Sequence, residues 1–212
     1  MVGGSLVGRL RHAAGTLLPT DRRGNSYALT LITPIAPGAA PDLRSVLESF
    51  GSGKESPLAR LEDVHFARWV IVGQLLTDWD GAPKRPSVIE SEYLLFSADL
   101  TAKAPDAAAL PGSFLNQLAE IEESREVWKH CVGFPATGDS DAVAKYLDHG
   151  RIQIDLYYAA FPDLRPAEIA HAIKVRRQFA DFVLSHQEAL SDPSAAQSLR
   201  DDYLRESALW PS

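Results

Sequence analysis

Residues His65 to Val72 read His-Phe-Ala-Arg-Trp-Val-Ile-Val, a strand-forming run with a histidine at its start and an arginine three residues further in. β-Branched and aromatic residues at this density favour a pleated, half-buried strand. Side chains alternate across a strand, so His65, Ala67, Trp69 and Ile71 are expected on one face and Phe66, Arg68, Val70 and Val72 on the other. On that reading the two polar groups need not meet. Arg68 stays charged, and it requires acceptors wherever it is withdrawn from water. Its face is therefore expected to border a cavity, an interface or a buried carboxylate.

Such a strand needs a sheet around it, and the chain is long enough to build one. Of its 212 residues 45% are hydrophobic and 23% charged, the balance of a soluble globular protein. The net charge is −7, and no basic run exceeds Arg22-Arg23 or Arg176-Arg177. Nucleic acid is thus not an expected partner. Cys131 is the sole cysteine, which rules out an intrachain disulfide and a cysteine-rich zinc site. The histidines show no convergent spacing, so no metal site is expected. The opening stretch, Met1 to Arg11, has no basic region ahead of a long apolar run. It reads as neither a secretory signal nor a membrane span, and the cytoplasm is the expected location.

In chain order, residues 1–26 mix glycines with scattered leucines and read as an N-terminal extension, with Thr20 to Asn25 as solvated loop. Tyr27 to Ile35 reads as a strand apolar on both faces, and Asp42 to Phe50 as a helix stopped by Gly51. After the organising strand, residues 73–91 read as a long loop, a candidate lid or partner contact. Glu92 to Leu100 reads as the next strand, Ser113 to Trp128 as a helix, and Ser140 to Asp148 as a shorter one. Arg151 to Phe161 alternates clearly, with Ile152, Ile154, Leu156 and Tyr158 opposite Arg151, Gln153, Asp155 and Tyr157, and is expected to be a fourth strand. A last large helix opens with Pro166 and Glu168 in its first turn and runs to about Leu190, with Ile169, Ile173, Phe182 and Val183 as its buried stripe. The domain is expected over residues 27–190, and 191–212 as a C-terminal tail holding one more short helix.

The fold class this order predicts is α+β, a ferredoxin-like βαββαβ arrangement with a four-stranded antiparallel sheet and additional C-terminal helices. Helices cover one face, so the other calls for a second cover, and a homodimer supplies it. Here the chain resembles the dimeric α+β barrel superfamily. It is more closely similar to a bacterial group with a Leu-x-x-x-His-Phe-Ala-Arg strand, here Leu61 to Arg68, and a His-Cys-x-Gly-aromatic-Pro turn, here His130 to Pro135. The resemblance covers Tyr27 to Leu190. It implies a small-molecule enzyme, oxygenase-like or otherwise oxidoreductase-like, acting in an apolar pocket without a cofactor. A non-catalytic ligand- or partner-binding protein is the alternative class, and a haem-dependent peroxidase-like enzyme a third. The Asp78-Trp79-Asp80-Gly81 segment lacks the first glycine of the Gly-x-x-Asp-Gly motif of dye-decolorising peroxidases, and no peroxidase roles carry over to it.

The candidate catalytic residues are His65, Arg68 and His130: an arginine can hold an anionic oxygen while a histidine exchanges protons near neutral pH. The plainer reading of the same pair is a strand-end histidine and an arginine paired with Asp155 or Glu92. Trp69, Gln153, Asp155 and Tyr157 are the candidate substrate-binding residues, or else part of a solvated strand face. Cys131, at a helix end where a thiolate is disfavoured, reads as a small buried hydrophobe. Haem is not expected to bind: His130 is the one candidate axial ligand near a helix end, and Arg68 has no second basic group at a defined distance to share the propionates.

Overall fold

A computed structural model describes residues 21–51, 56–61, 63–73, 80–81, 91–101, 110–136 and 138–210. The expectations for the N-terminal extension up to Thr20, and for nearly all of the 73–91 loop, fall outside these residues. Contacts divide the chain into two compact units, one ending at Asp163 and one from Leu164 to Ser212. The last large helix belongs to the second.

Among the described residues the first unit holds one four-stranded antiparallel sheet: β1 (Arg22–Arg23), β2 (Ser26–Pro34), β3 (Val64–Val72) and β4 (Tyr93–Thr101), in the order β1-β2-β4-β3. The polar stretch expected to be loop thus contributes β1. A tight turn at Gly24 and Asn25 pairs Arg22 with Tyr27 and Arg23 with Ser26. Gly24 has φ +57°, and a Cβ there would lie 2.6 Å from Asp163 Oδ1, so conformation and space both require glycine.

β2 and β3 both run antiparallel to β4, which lies between them, and helix α1 (Ala40–Gly51) carries the crossover. Helices α2 (Leu110–Glu120) and α3 (Glu122–Trp128) follow β4. One helix was expected there; the chain breaks at Ile121, whose buried side chain sits in an extended backbone with ψ 116°. Helix α4 (Ser140–His149) begins where Asp139 accepts from Asp141 N at 3.2 Å and ends at Gly150.

The expected fourth strand over Arg151 to Phe161 is not formed. Its first residue makes an isolated bridge to Leu31, with Ile32 N donating to Gly150 O at 2.8 Å and Ile152 N to Thr30 O at 3.0 Å. Beyond it the chain leaves the ladder, and Ser26 Oγ donates to Pro162 O at 2.9 Å. The same edge of β2 is already taken by the first hairpin, which pairs at Ser26 and Tyr27 and where Ala28 N donates to Asp21 O at 2.8 Å, so that edge is left to the Arg151 segment only around Thr30 and Ile32.

The two faces of the sheet differ sharply. Leu29 and Leu31 of β2, Leu94, Phe96, Ala98 and Leu100 of β4, and Ala67, Trp69 and Ile71 of β3 face the helices. There they meet Leu43 of α1, Phe114, Leu115 and Leu118 of α2, Val127 and Trp128 of α3, and Val143 and Leu147 of α4. Trp69 stands 5.8 Å from Trp128 and 5.4 Å from Phe96, centroid to centroid. The opposite face, carrying Ser26, Thr30, Leu95, Ser97, Asp99, Phe66, Arg68 and Val70, lies away from the described helices of the first unit.

The second unit comprises α5 (Pro166–Ser185), α6 (Gln187–Leu190) and α7 (Ala196–Ser207). The Glu168 carboxylate accepts from Arg165 N at 2.7 Å at the start of α5, as its first-turn position suggests. Its packing is aromatic: Tyr203 lies 5.5 Å from Phe182 and 5.6 Å from Trp210. Of the expected stripe on α5, Phe182 is buried, Ile169 and Val183 are half-buried and Ile173 is exposed.

Candidate functional site

The polar groups of the open face gather at one end of the sheet, and a β-bulge brings them together. Val64 pairs with Leu100 and Phe66 with Asp99, so two steps on β3 answer one on β4 and His65 is the extra residue. Strict alternation would have placed His65 opposite Arg68. The bulge breaks it, and His65 Nε2 lies 2.8 Å from Thr101 Oγ1, on the same face as Arg68.

From Thr101 the contacts continue inward. Thr101 Oγ1 is 2.5 Å from Ser26 Oγ, both side chains are buried, and Ser26 donates in turn to Pro162 O at 2.9 Å. Asp99 sits two residues before Thr101 on the same face. Burial pushes its carboxyl above the usual aspartate range; the nearby positive charges of His65 and Arg68 pull it down without cancelling the rise. Tyr157 is raised as well, first by burial and then by the charge of Asp99, with the Ser26 hydrogen bond opposing. Arg68 Nε donates to Ser97 Oγ at 3.2 Å, and its guanidinium stands 5.7 Å from the centroid of the Phe66 ring, within cation–π range. The rest of the guanidinium points to solvent.

His65, Arg68 and Tyr157 are therefore brought together. The other candidates are not. Trp69 faces the core side, in tilted and edge-on contact with Phe50, Phe96 and Trp128, and reaches a cleft of about 360 Å³ shared with Arg44, Leu47 and Glu48. Gln153 and Asp155 are exposed on the segment that fails to become a strand. Arg68 is neighboured by Ser97 and Asp99 instead of the expected Asp155 or Glu92; the Glu92 carboxylate lies against Gly73 at the far end of the face.

His130 occupies the opposite end of β2. Its carbonyl accepts from Ala36 N at 2.9 Å, and Val132 N donates to Pro34 O at 2.8 Å. Eight residue steps along β2 separate that end from Ser26, about 26 Å at the usual strand rise. His130 Nε2 is buried with no hydrogen-bond partner among the described residues. Beside it Cys131 is 4% exposed, accepts from Thr33 Oγ1 at 3.4 Å, and has its thiol pushed up by burial. This is the buried hydrophobe the sequence suggests.

Two further clefts, of about 950 and 510 Å³, lie among the helices. The larger is lined by Ser113, Asn116, Lys145, Asp148 and Arg151, and the smaller by Glu120, Arg125 and Phe134 among others. Neither these nor the cleft beside Trp69 is lined by His65, Arg68 or His130. The described residues contain no group of three or more His, Cys, Asp or Glu side chains arranged for a metal ion. They contain no helix long and apolar enough to cross a membrane.

Asp99, Thr101 and Ser26 escaped the reading of the sequence as site residues. Asp99 carried a usable signal: it is the one charge in the run Tyr93 to Thr101, and the reasoning applied to Arg68 applies equally to it. The two hydroxyls carried none, because serine and threonine at strand positions are ordinary.

No protein-family model, no curated protein and no solved structure matches the chain.

Proposed function

We propose that this chain is a small-molecule enzyme working by acid–base chemistry on the helix-free face of its sheet. The observation that carries the reading is the convergence of His65, Asp99, Arg68 and Tyr157 on that face at one end of β4. Arg68 supplies a fixed positive charge for an anionic oxygen. His65 and Asp99 supply proton exchange, and Tyr157 a phenolic donor. Leu95, Phe66 and Val70 offer apolar surface beside them. Burial raises the Asp99 carboxyl above the usual aspartate range, which brings its proton exchange closer to neutral pH.

The reading includes the ferredoxin-like plan and the homodimer of the α+β barrel proteins that the chain resembles. Support comes from the β2-α1-β3 crossover with β4 inserted between, and from the Leu31–Arg151 bridge at the place of a fourth strand. Phe66 at 50% and Leu156 at 85% exposure leave apolar side chains for a second copy to cover. The reaction class the resemblance implies is oxygenase-like or otherwise oxidoreductase-like, on a substrate deprotonated at this site, in the cytoplasm and without a cofactor.

The alternative, a ligand-binding protein without turnover, is favoured by the solvent exposure of Arg68. A thermal-shift screen of small aromatic and aliphatic carboxylates tests both. Compounds that raise the melting temperature of the wild type but not of Arg68→Ala are expected. Oxygen uptake with those compounds, lost in His65→Gln, favours the enzyme; stabilisation with no turnover favours the binding protein. A screen with no stabilising compound sinks both.

A further inference from the structure

The hydrogen-bonded chain that starts at His65 ends on a group that can only accept. His65 Nε2 lies 2.8 Å from Thr101 Oγ1, Thr101 Oγ1 lies 2.5 Å from Ser26 Oγ, and Ser26 Oγ lies 2.9 Å from Pro162 O. Ser26 and Thr101 are 2% and 0% exposed, so bulk water takes no share in these contacts. Each hydroxyl has one proton to give and two lone pairs to receive with. The Pro162 carbonyl has no proton, so Ser26 must donate to it. Ser26 must then accept from Thr101, and Thr101, its one proton committed, can only accept from His65. Every polar atom in the chain is satisfied by this one arrangement.

We infer that the Pro162 carbonyl, acting through Ser26 and Thr101, locks neutral His65 as the Nε2–H tautomer, which makes Nδ1 the proton-accepting atom of the site and Ser26 and Thr101 its positioning residues. Which ring nitrogen of a histidine is basic is set by the bond the other one makes. When Nδ1 takes a proton, the imidazolium keeps its Nε2–H bond to Thr101 and no hydroxyl has to turn. The proton cannot travel onward through the chain, because the amide carbonyl at its end does not take it up. It returns to the bound molecule, to solvent or to Asp99, which with Arg68 is the charged group that faces His65. The bulge has a purpose on this reading: it turns the imidazole to the face where Thr101 waits.

The assignment of Nδ1 as base rests on the acid–base reading above, whereas the tautomer is measured with no ligand present, so the two can fail separately. The experiment is long-range ¹H–¹⁵N correlation across the imidazole rings of the full-length ¹⁵N-labelled chain at alkaline pH, where the ring spectra report neutral tautomers. Its signals are assigned by their loss in His65→Gln. The expected spectrum has Nε2 at the protonated shift and Nδ1 at the unprotonated one, with no averaging between them. Thr101→Val should move both shifts toward averaged values, and Thr101→Ser should restore them. Ser26→Ala, which cuts the chain one bond further away, should produce part of the same shift. A His65 that is Nδ1–H or averaged in the wild type overturns the inference. So does a folded Thr101→Val whose His65 shifts are unmoved. Should Thr101→Val not fold, the wild-type spectrum and Ser26→Ala decide.

Discussion

The two faces of the sheet are made by alternate residues of the same three strands, yet they follow different rules. On β4, Leu94, Phe96, Ala98 and Leu100 are between 0% and 2% exposed, and every one is apolar. Tyr93, Leu95, Ser97 and Asp99, one step away in each case, are half-buried and grow more polar toward the His65 end. The inner face is built to exclude water: Trp69, Phe96 and Trp128 are in mutual ring contact, and Phe114 stacks on Phe96. The outer face keeps charges close to one another, which is unfavourable for packing and useful for chemistry. A strand thus holds one surface rigid by anchoring its other side in the core.

The sharpest way to break this comparison is to truncate one residue on each side. Trp128→Ala, on the helix wall of the core, should cost about 3–5 kcal/mol by the usual measure of large aromatic truncations. Phe66→Ala, half-exposed on the open face, should cost under about 1 kcal/mol in the isolated chain. Urea denaturation of both variants gives the numbers. A Phe66→Ala cost close to that of Trp128→Ala would mean that the open face is covered. Light scattering then tells whether a second copy is the cover, since Phe66→Ala should shift a dimer toward monomer at micromolar concentration.

The hydroxyl chain comes next in size. Ser26→Ala leaves the Thr101 hydroxyl without its acceptor in a site water does not reach, at a cost of about 1–3 kcal/mol. Thr101→Val removes two bonds but keeps the shape, and should fall in the same range. Denaturant midpoints equal to wild type for both would show that the cluster is solvated, and would make the His65 end of the outer face an ordinary wet surface.

How far the sequence foretold this follows from what local pattern encodes. Periodicity found β2, β3, β4, α1 and α4 within a residue or two, because each buries a whole face and apolar residues must recur at its period. It misread Arg151 to Phe161 for the same reason: alternation there is clear, but whether a strand pairs depends on the register its neighbour offers, which no local pattern states. Arg22–Arg23 failed in the opposite direction, since a two-residue strand is created by the turn at Gly24 and not by its own side chains. At the site, the identity of His65 and Arg68 was legible and their meeting was not. Alternation put them on opposite faces, and a single bulged residue reversed that. Asp99 was legible in principle, as a charge inside a run of strand residues, whereas Ser26 and Thr101 become notable only through the partners that the fold brings them.

The smallest expected effect concerns Asp99, and it tests whether the outer face favours chemistry over stability. Burial raises the folded-state pKa of Asp99 above the ordinary value of 3.8, despite the opposing charges of His65 and Arg68. The folded chain therefore holds this proton more tightly than the unfolded chain does. The stability linked to that proton is fully present below the unfolded value and is lost as pH rises through the folded one. At neutral pH the ionised Asp99 thus costs stability that a neutral side chain of the same shape does not. Asp99→Asn is expected to be more stable than wild type near pH 7, by less than either truncation above, with the gain closing as pH falls toward 4. In an Arg68→Gln background one of the two opposing charges is gone across this whole pH range, and the gain from Asp99→Asn should be larger. Denaturation midpoints for the four variants across pH 4 to 8 measure both. An Asp99→Asn that is less stable than wild type at neutral pH would show that the ionised carboxylate is held by His65 and Arg68 as part of the structure. The outer face would then be a second packed layer, and the contrast between the two faces would fail.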